Sequence, residues 1–131
     1  VSGPLLDRID IHVEVPPVAF RQLRGRSSGQ DSASLRQMVQ SARTRQAERF
    51  GDGRLMTNAT MTHKEVEAFC RLDETGEQIL KQAMAEFALS ARAHDKICKV
   101  ARTIADLEEA DTVRAEHIAE AVSYRRLDRK V

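Results

Sequence analysis

Tryptophan is absent from this 131-residue chain, tyrosine occurs once and phenylalanine four times, so a base-stacking platform for single-stranded nucleic acid has almost no material to be built from. Cysteine is nearly as scarce. Cys70 and Cys98 stand 28 residues apart with no CxxC and no histidine pair at metal spacing, which leaves neither a disulfide framework nor a zinc site and points to reduced thiols. No apolar run approaches the roughly 20 residues that span a bilayer, and the first residues do not read as a signal peptide. The expectation is a soluble, cytoplasmic protein with no membrane partner. Phosphate loops of the GxxxxGKS/T and GxGxxG kinds are missing too, so nothing in the chain cradles a triphosphate by itself. The four histidines, His12, His63, His94 and His117, are scattered and have no nucleophile at a recognisable spacing; they read as surface or capping positions.

What is present is charge in near balance. Lys and Arg total 21 against 20 Asp and Glu, which gives no overall pull toward nucleic acid or membrane. The distribution is uneven, with eight arginines against five acids in residues 1–51 and a slight acidic excess afterwards. A chain of this length allows one ordinary domain, or a small domain with the edge of a second.

Ile9-Asp10-Ile11-His12-Val13-Glu14-Val15 alternates apolar and polar residues, the period-2 pattern of a half-buried strand, and Pro16-Pro17 ends it. No other stretch shows that pattern. Its pairing partners are therefore expected outside this sequence, as for the last strand of a truncated α/β domain. Residues 18–31, with Gly25, Ser27, Ser28 and Gly29, read as a linker. From Ser32 onward the period is helical. A first helix, capped by Asp31 or Ser32, carries Leu35, Met38, Val39, Ala42 and Phe50 mostly on one face and stops at Gly51 and Gly53. Thr62-x-x-Glu65 has the spacing of a capping box and opens a short helix to about Cys70. A third helix, from near Thr75 to Phe87, turns Ile79, Leu80, Ala83, Met84 and Phe87 inward.

The fourth helix has the clearest pattern. Ala93, Ile97, Val100, Ala101, Ile104 and Leu107 recur every three or four residues behind a capping Ser90, which predicts the central helix of the bundle. A fifth, from about Arg114 to Tyr124, buries Ile118, Ala121 and Val122 ahead of a polar, frayed tail. The fold class is mainly α: about five helices, preceded by one strand and a linker.

Three sets of arginines could carry function. Arg92 lies in the first turn of the fourth helix, where free amides and the helix dipole make a cation mildly unfavourable unless an anion is bound. A guanidinium beside such amides suits phosphate; the alternative is an exposed arginine paired with Asp95 or another carboxylate. Arg8, between Asp7 and Asp10, is on its position alone a salt-bridged residue at a strand start. Arg21, Arg24 and Arg26 could touch nucleic-acid phosphates, but three charges are a weak signal and a solvated linker is the preferred reading.

The phrase from Ser2 through Leu5-Leu6-Asp7-Arg8-Ile9-Asp10 to Val15 closely resembles the end of the AAA+ core in magnesium-chelatase-like ATPases of the ComM/YifB type. The stretches Leu89–Asp95 and Val100–Leu107, with Arg114–Ile118 and Tyr124-Arg125, resemble the C-terminal lid of the same family. That resemblance implies a division into 1–17 as the end of the core, 18–31 as linker and 32–131 as helical lid. It makes Arg8 a catalytic arginine finger acting in trans on a neighbouring subunit's ATP, and Arg92 a sensor-2 residue reading ATP on its own subunit. It implies ATP and Mg2+ as cofactors of the full-length protein, a homo-oligomeric ring, hexameric in the usual form, and no metal held by this segment.

The activity implied by the resemblance is ATP-driven remodelling of DNA, of the branch-migration kind that serves recombination and natural transformation. The segment itself, lacking the phosphate loop, is not expected to hydrolyse ATP. The alternatives are an ATPase module that drives metal insertion by a chelatase, and a plain helical interaction module.

Overall fold

Helices in this chain begin where a side chain can accept from an otherwise free amide, and the computed structural model shows each such position in use. It describes residue 5, residues 8–13, 15, 17, 31–51 and 57–125. The linker up to residue 30 with Arg21, Arg24 and Arg26, Gly53, and the tail from residue 126 lie outside the described residues. Helix α1 is Ser32–Phe50, α2 His63–Phe69, α3 Glu74–Phe87, α4 Ala91–Leu107 and α5 Ala115–Ser123, with a 3-10 turn at Asn58–Thr60 before α2. Asp31 accepts from Ser34 N at 2.8 Å, Asp73 from Gly76 N at 2.7 Å and Ser90 from Ala93 N at 3.1 Å. At α2 the capping box is complete: Thr62 Oγ1 accepts from Glu65 N at 3.2 Å while Thr62 N donates to Glu65 at 3.0 Å.

The helix ends are equally local. Gly51 stops α1 with φ 57° and ψ −169°, a backbone region open essentially to glycine alone. Ala88 ends α3 in the left-handed region, with φ 50° and ψ 49°.

Helix α4 is central, packed on α1, α2, α5 and the 3-10 turn, while α3 rests on α5. Its inner stripe explains why. Ala93, Ala101 and Ala105 are wholly buried and small enough for neighbours to approach closely, and Ile97, also wholly buried, fills the space between them. Ile118 and Ala121 of α5, Leu80 of α3, Val66 of α2 and Phe50 of α1 close around that stripe. Phe50 meets Phe69 edge to face, with centroids 5.6 Å apart and an interplanar angle of 85°.

Two expectations about the ends of the domain need correction. Leu35 and Val39, placed on the buried face of α1 by periodicity, are 47% and 49% exposed. The buried residues of α1 are Ala42, Gln46 and Phe50; the helix is about 28 Å long at 1.5 Å per residue, and only its second half lies on the bundle. Arg125, read as the start of a frayed tail, is wholly buried.

The alternating segment also behaves differently from a half-buried strand. Residues 9–13 form no strand among the described residues. His12 is buried, while Ile9, Ile11, Val13 and Val15 are exposed, so the apolar side chains are not packed into the helical core. The anchors are polar: His12 N donates to Tyr124 O at 2.5 Å, Arg125 to Ile9 O, and Lys96 pairs with Asp10. Ile11 and Val13 then line one wall of an apolar groove of about 490 Å3 whose other walls include Val100, Ile104, Leu107 and Tyr124.

Candidate nucleotide-sensing arginines and the polar spine

The first turn of α4 follows from Ser90. Its hydroxyl takes Ala93 N, and His94 N donates to Ser90 O at 3.0 Å, so Ala91 and Arg92 present the helix's unbonded amides. No acidic residue lies in that turn. Arg92 is exposed, and its side chain makes no hydrogen bond or ion pair among the described residues.

The carboxylate that could have neutralised it is otherwise engaged. Asp95 takes His94 Nδ1 at 2.9 Å and His63 Nδ1 at 3.0 Å, and the other ring nitrogen of His63 meets Glu67 at 3.0 Å. An imidazole with a carboxylate at each nitrogen is favoured as the cation. The hydrogen bond to Asp95, foremost, raises His63 above its ordinary 6.5. For Asp95, burial pushes upward, but the hydrogen bonds from His94 and His63 outweigh it and hold the carboxyl below its ordinary value. The pairing of Arg92 with Asp95 is thus replaced by a clasp between α2 and α4.

Arg8 is exposed, sits in helical backbone ahead of the docked segment and makes no ion pair among the described residues. The two arginines do not touch. They are connected through Asp10 and Lys96.

The structure assigns roles to residues that the motifs alone left without one. Asp106, wholly buried, accepts from Arg49 at 2.6 and 3.0 Å, from Asn58 Nδ2 at 2.8 Å and pairs with Arg102 at 3.1 Å. Arg102 also donates to the carbonyls of Ala110, at 2.8 Å, and Asp111, at 3.1 Å; burial lowers its pKa, and Asp106 opposes that. Asn58 completes the spine with Thr103 at 3.1 Å and Gln46 at 2.9 Å. The signal was available: Cys98, Arg102 and Asp106, four residues apart, continue one buried stripe of α4 with charges in place of apolar groups.

His117 closes α5 in the same inward manner. It is buried; its Nδ1 accepts from Arg114 N at 2.9 Å and its Nε2 meets Glu108 at 2.5 Å. Together with Glu116 these atoms lie within 4.8 Å of one another, close enough for metal ligands. The polarity is wrong for that use. A ligating Nε2 needs its proton on Nδ1, facing an acceptor, and here Nδ1 faces an amide N–H, so the group is a helix cap. Cys70 and Cys98 are free and buried, and burial pushes their thiols up to about 11 and about 12. No described helix is long and apolar enough to cross a membrane.

Residues 29–125 match the family described as magnesium chelatase, subunit ChlI C-terminal. The chain is 38% identical over 130 residues to YifB of Escherichia coli K12 and to the competence protein ComM of Haemophilus influenzae; in each case 98% of this chain and 25% of the relative are covered. It is 31% identical over 125 residues to Rv2897c of Mycobacterium tuberculosis, covering 95% of this chain and 25% of the relative. The chain spans about a quarter of the length of the curated relatives it matches. A family match across most of the chain, joined to a helical bundle built around the Ala-Arg-Thr-Ile-Ala-Asp stretch of α4, leads to one conclusion: this chain belongs to the magnesium-chelatase-like family and carries its C-terminal helical region.

Proposed function

We propose that this region is the nucleotide-sensing lid of an ATP-driven ring motor that remodels DNA, with Arg92 contacting ATP on its own subunit and Arg8 reaching a neighbour's. The observation that carries the reading is Arg92 itself: a guanidinium in the first turn of α4, beside unbonded amides, with its nearest carboxylate in sequence occupied by two histidines. Such a donor set suits phosphate oxygens. It does not suit Mg2+, because Asp95 is already taken up; the ion and the phosphate loop belong to the rest of the full-length protein. In this reading residues 1–17 end the ATPase core, 18–31 link and 32–131 form the lid. Ile9, Ile11 and Val13 remain 38%, 47% and 64% exposed, which leaves apolar surface for the core to cover.

The name of the competence protein ComM supports DNA as the substrate, and the name of the matching family keeps metal insertion as the second reading. Stimulation of full-length turnover by branched DNA, against stimulation by a chelatase partner, separates them. For the arginines, Arg92→Ala and Arg8→Ala in the full-length protein are expected to abolish ATPase turnover while helical circular dichroism is retained, the finger contributing about a thousandfold or more. Mixing Arg8→Ala subunits with subunits lacking a working phosphate loop restores partial turnover if Arg8 acts in trans. Wild-type turnover in either single variant overturns the assignment.

A further inference from the structure

Arg92 and Lys96 are four residues apart on α4 and therefore share one face, one turn apart. Lys96, with a side chain only 19% exposed, pairs with Asp10, which is two residues beyond Arg8. Around that pair the segment is pinned twice more. Arg125, wholly buried, donates to Ile9 O, and His12 N donates to Tyr124 O at 2.5 Å. The path from Arg92 to Arg8 is thus one helical turn, one ion pair and two residues of chain. A segment held at three successive points to α4 and to the end of α5 has to follow those helices when they move.

We propose that Lys96 and Asp10 form a positioning pair that makes the arginine reading a subunit's own nucleotide and the arginine offered to its neighbour move together. The inference rests on the nucleotide roles proposed above for Arg92 and Arg8. Neither Lys96 nor Asp10 touches the nucleotide. The pair delivers the tilt of α4, set by contact at Arg92, to the backbone that carries Arg8, so that occupancy of one site adjusts the finger presented to the next.

The test uses the full-length protein with Lys96→Ala, Asp10→Asn, Lys96→Arg and the charge-swapped double variant Lys96→Asp/Asp10→Lys. Lys96→Ala and Asp10→Asn are each expected to lower kcat about two- to fivefold, the range one partly exposed ion pair can transmit, to reduce the Hill coefficient for ATP toward one and to leave KM unchanged. Lys96→Arg and the charge swap are expected to return kcat and cooperativity toward wild type. Wild-type kcat and cooperativity in both Lys96→Ala and Asp10→Asn overturn the proposal, as does a loss that neither Lys96→Arg nor the swap repairs. If Arg8→Ala and Arg92→Ala themselves keep full turnover, the nucleotide reading has failed and the coupling falls with it. If those two abolish turnover while the Lys96 and Asp10 variants behave as wild type, the coupling alone is wrong.

Discussion

Arg49 of α1 closes a two-point ion pair on Asp106 of α4, with nitrogen–oxygen distances of 2.6 and 3.0 Å and the carboxylate wholly buried. Asp106 also neutralises Arg102 and takes Asn58, so one acid holds α1, the 3-10 turn and the end of α4 in register.

Removing that charge leaves two arginines facing each other in a largely water-excluded space. Asp106→Asn is expected to destabilise the domain by about 3–5 kcal/mol, seen in urea as a lower midpoint with an unchanged slope. A loss below about 1 kcal/mol would show that the spine is a bystander to apolar packing.

The clasp between α2 and α4 should respond to pH in a defined direction. His63 is raised above 6.5 by Asp95, so its contribution is fully present below pH 6.5 and is lost as pH rises through the folded value. Asp95 is lowered below 3.8 by its histidines, against burial, so its contribution is fully present above pH 3.8 and is lost as pH falls through the folded value. The stability difference between wild type and His63→Ala should therefore be largest between those limits and shrink toward pH 9, measured by urea midpoints at each pH. A difference that grows above pH 7 contradicts the clasp.

The thiols should be quiet in the folded state. With Cys70 pushed up to about 11 and Cys98 to about 12 by burial, less than about a thousandth of either is thiolate at pH 8. Labelling by a disulfide reagent should be slower by about a hundredfold or more in the native protein than in guanidinium. Stoichiometric labelling within seconds under native conditions would show that the thiols are reachable.

Much of the helical architecture was legible because its signals are local. Thr62 with Glu65, Ser90, Asp31 and Gly51 act within a turn of themselves, and the α4 stripe from Ala93 to Ile104 repeats at the period of the helix that buries it. The family phrases around Arg8 and Arg92 were legible too, because they are contiguous in the chain. Burial at the edges was not. Leu35 and Val39 satisfy the periodicity of α1, but periodicity states only which residues share a face, and α1 extends past the bundle it packs on.

The candidate site divides the same way. That Arg92 stands in a helix's first turn could be read from Ser90 onward; that Asp95 turns to His63 and His94 depends on α2 lying across α4, a contact between residues 32 apart. The links from Asp10 to Lys96 and from Ile9 to Arg125 join the first residues to α4 and to the residues that follow α5, and nothing in the residues between them encodes that meeting. By itself, the sequence determined where helices start and stop, the stripe that makes α4 central, and the family. Only the tertiary structure decided which polar side chains would be buried together and how the segment behind Arg8 is held, because capping and periodicity are set by near neighbours, whereas ion pairs between distant segments exist only once the helices have packed.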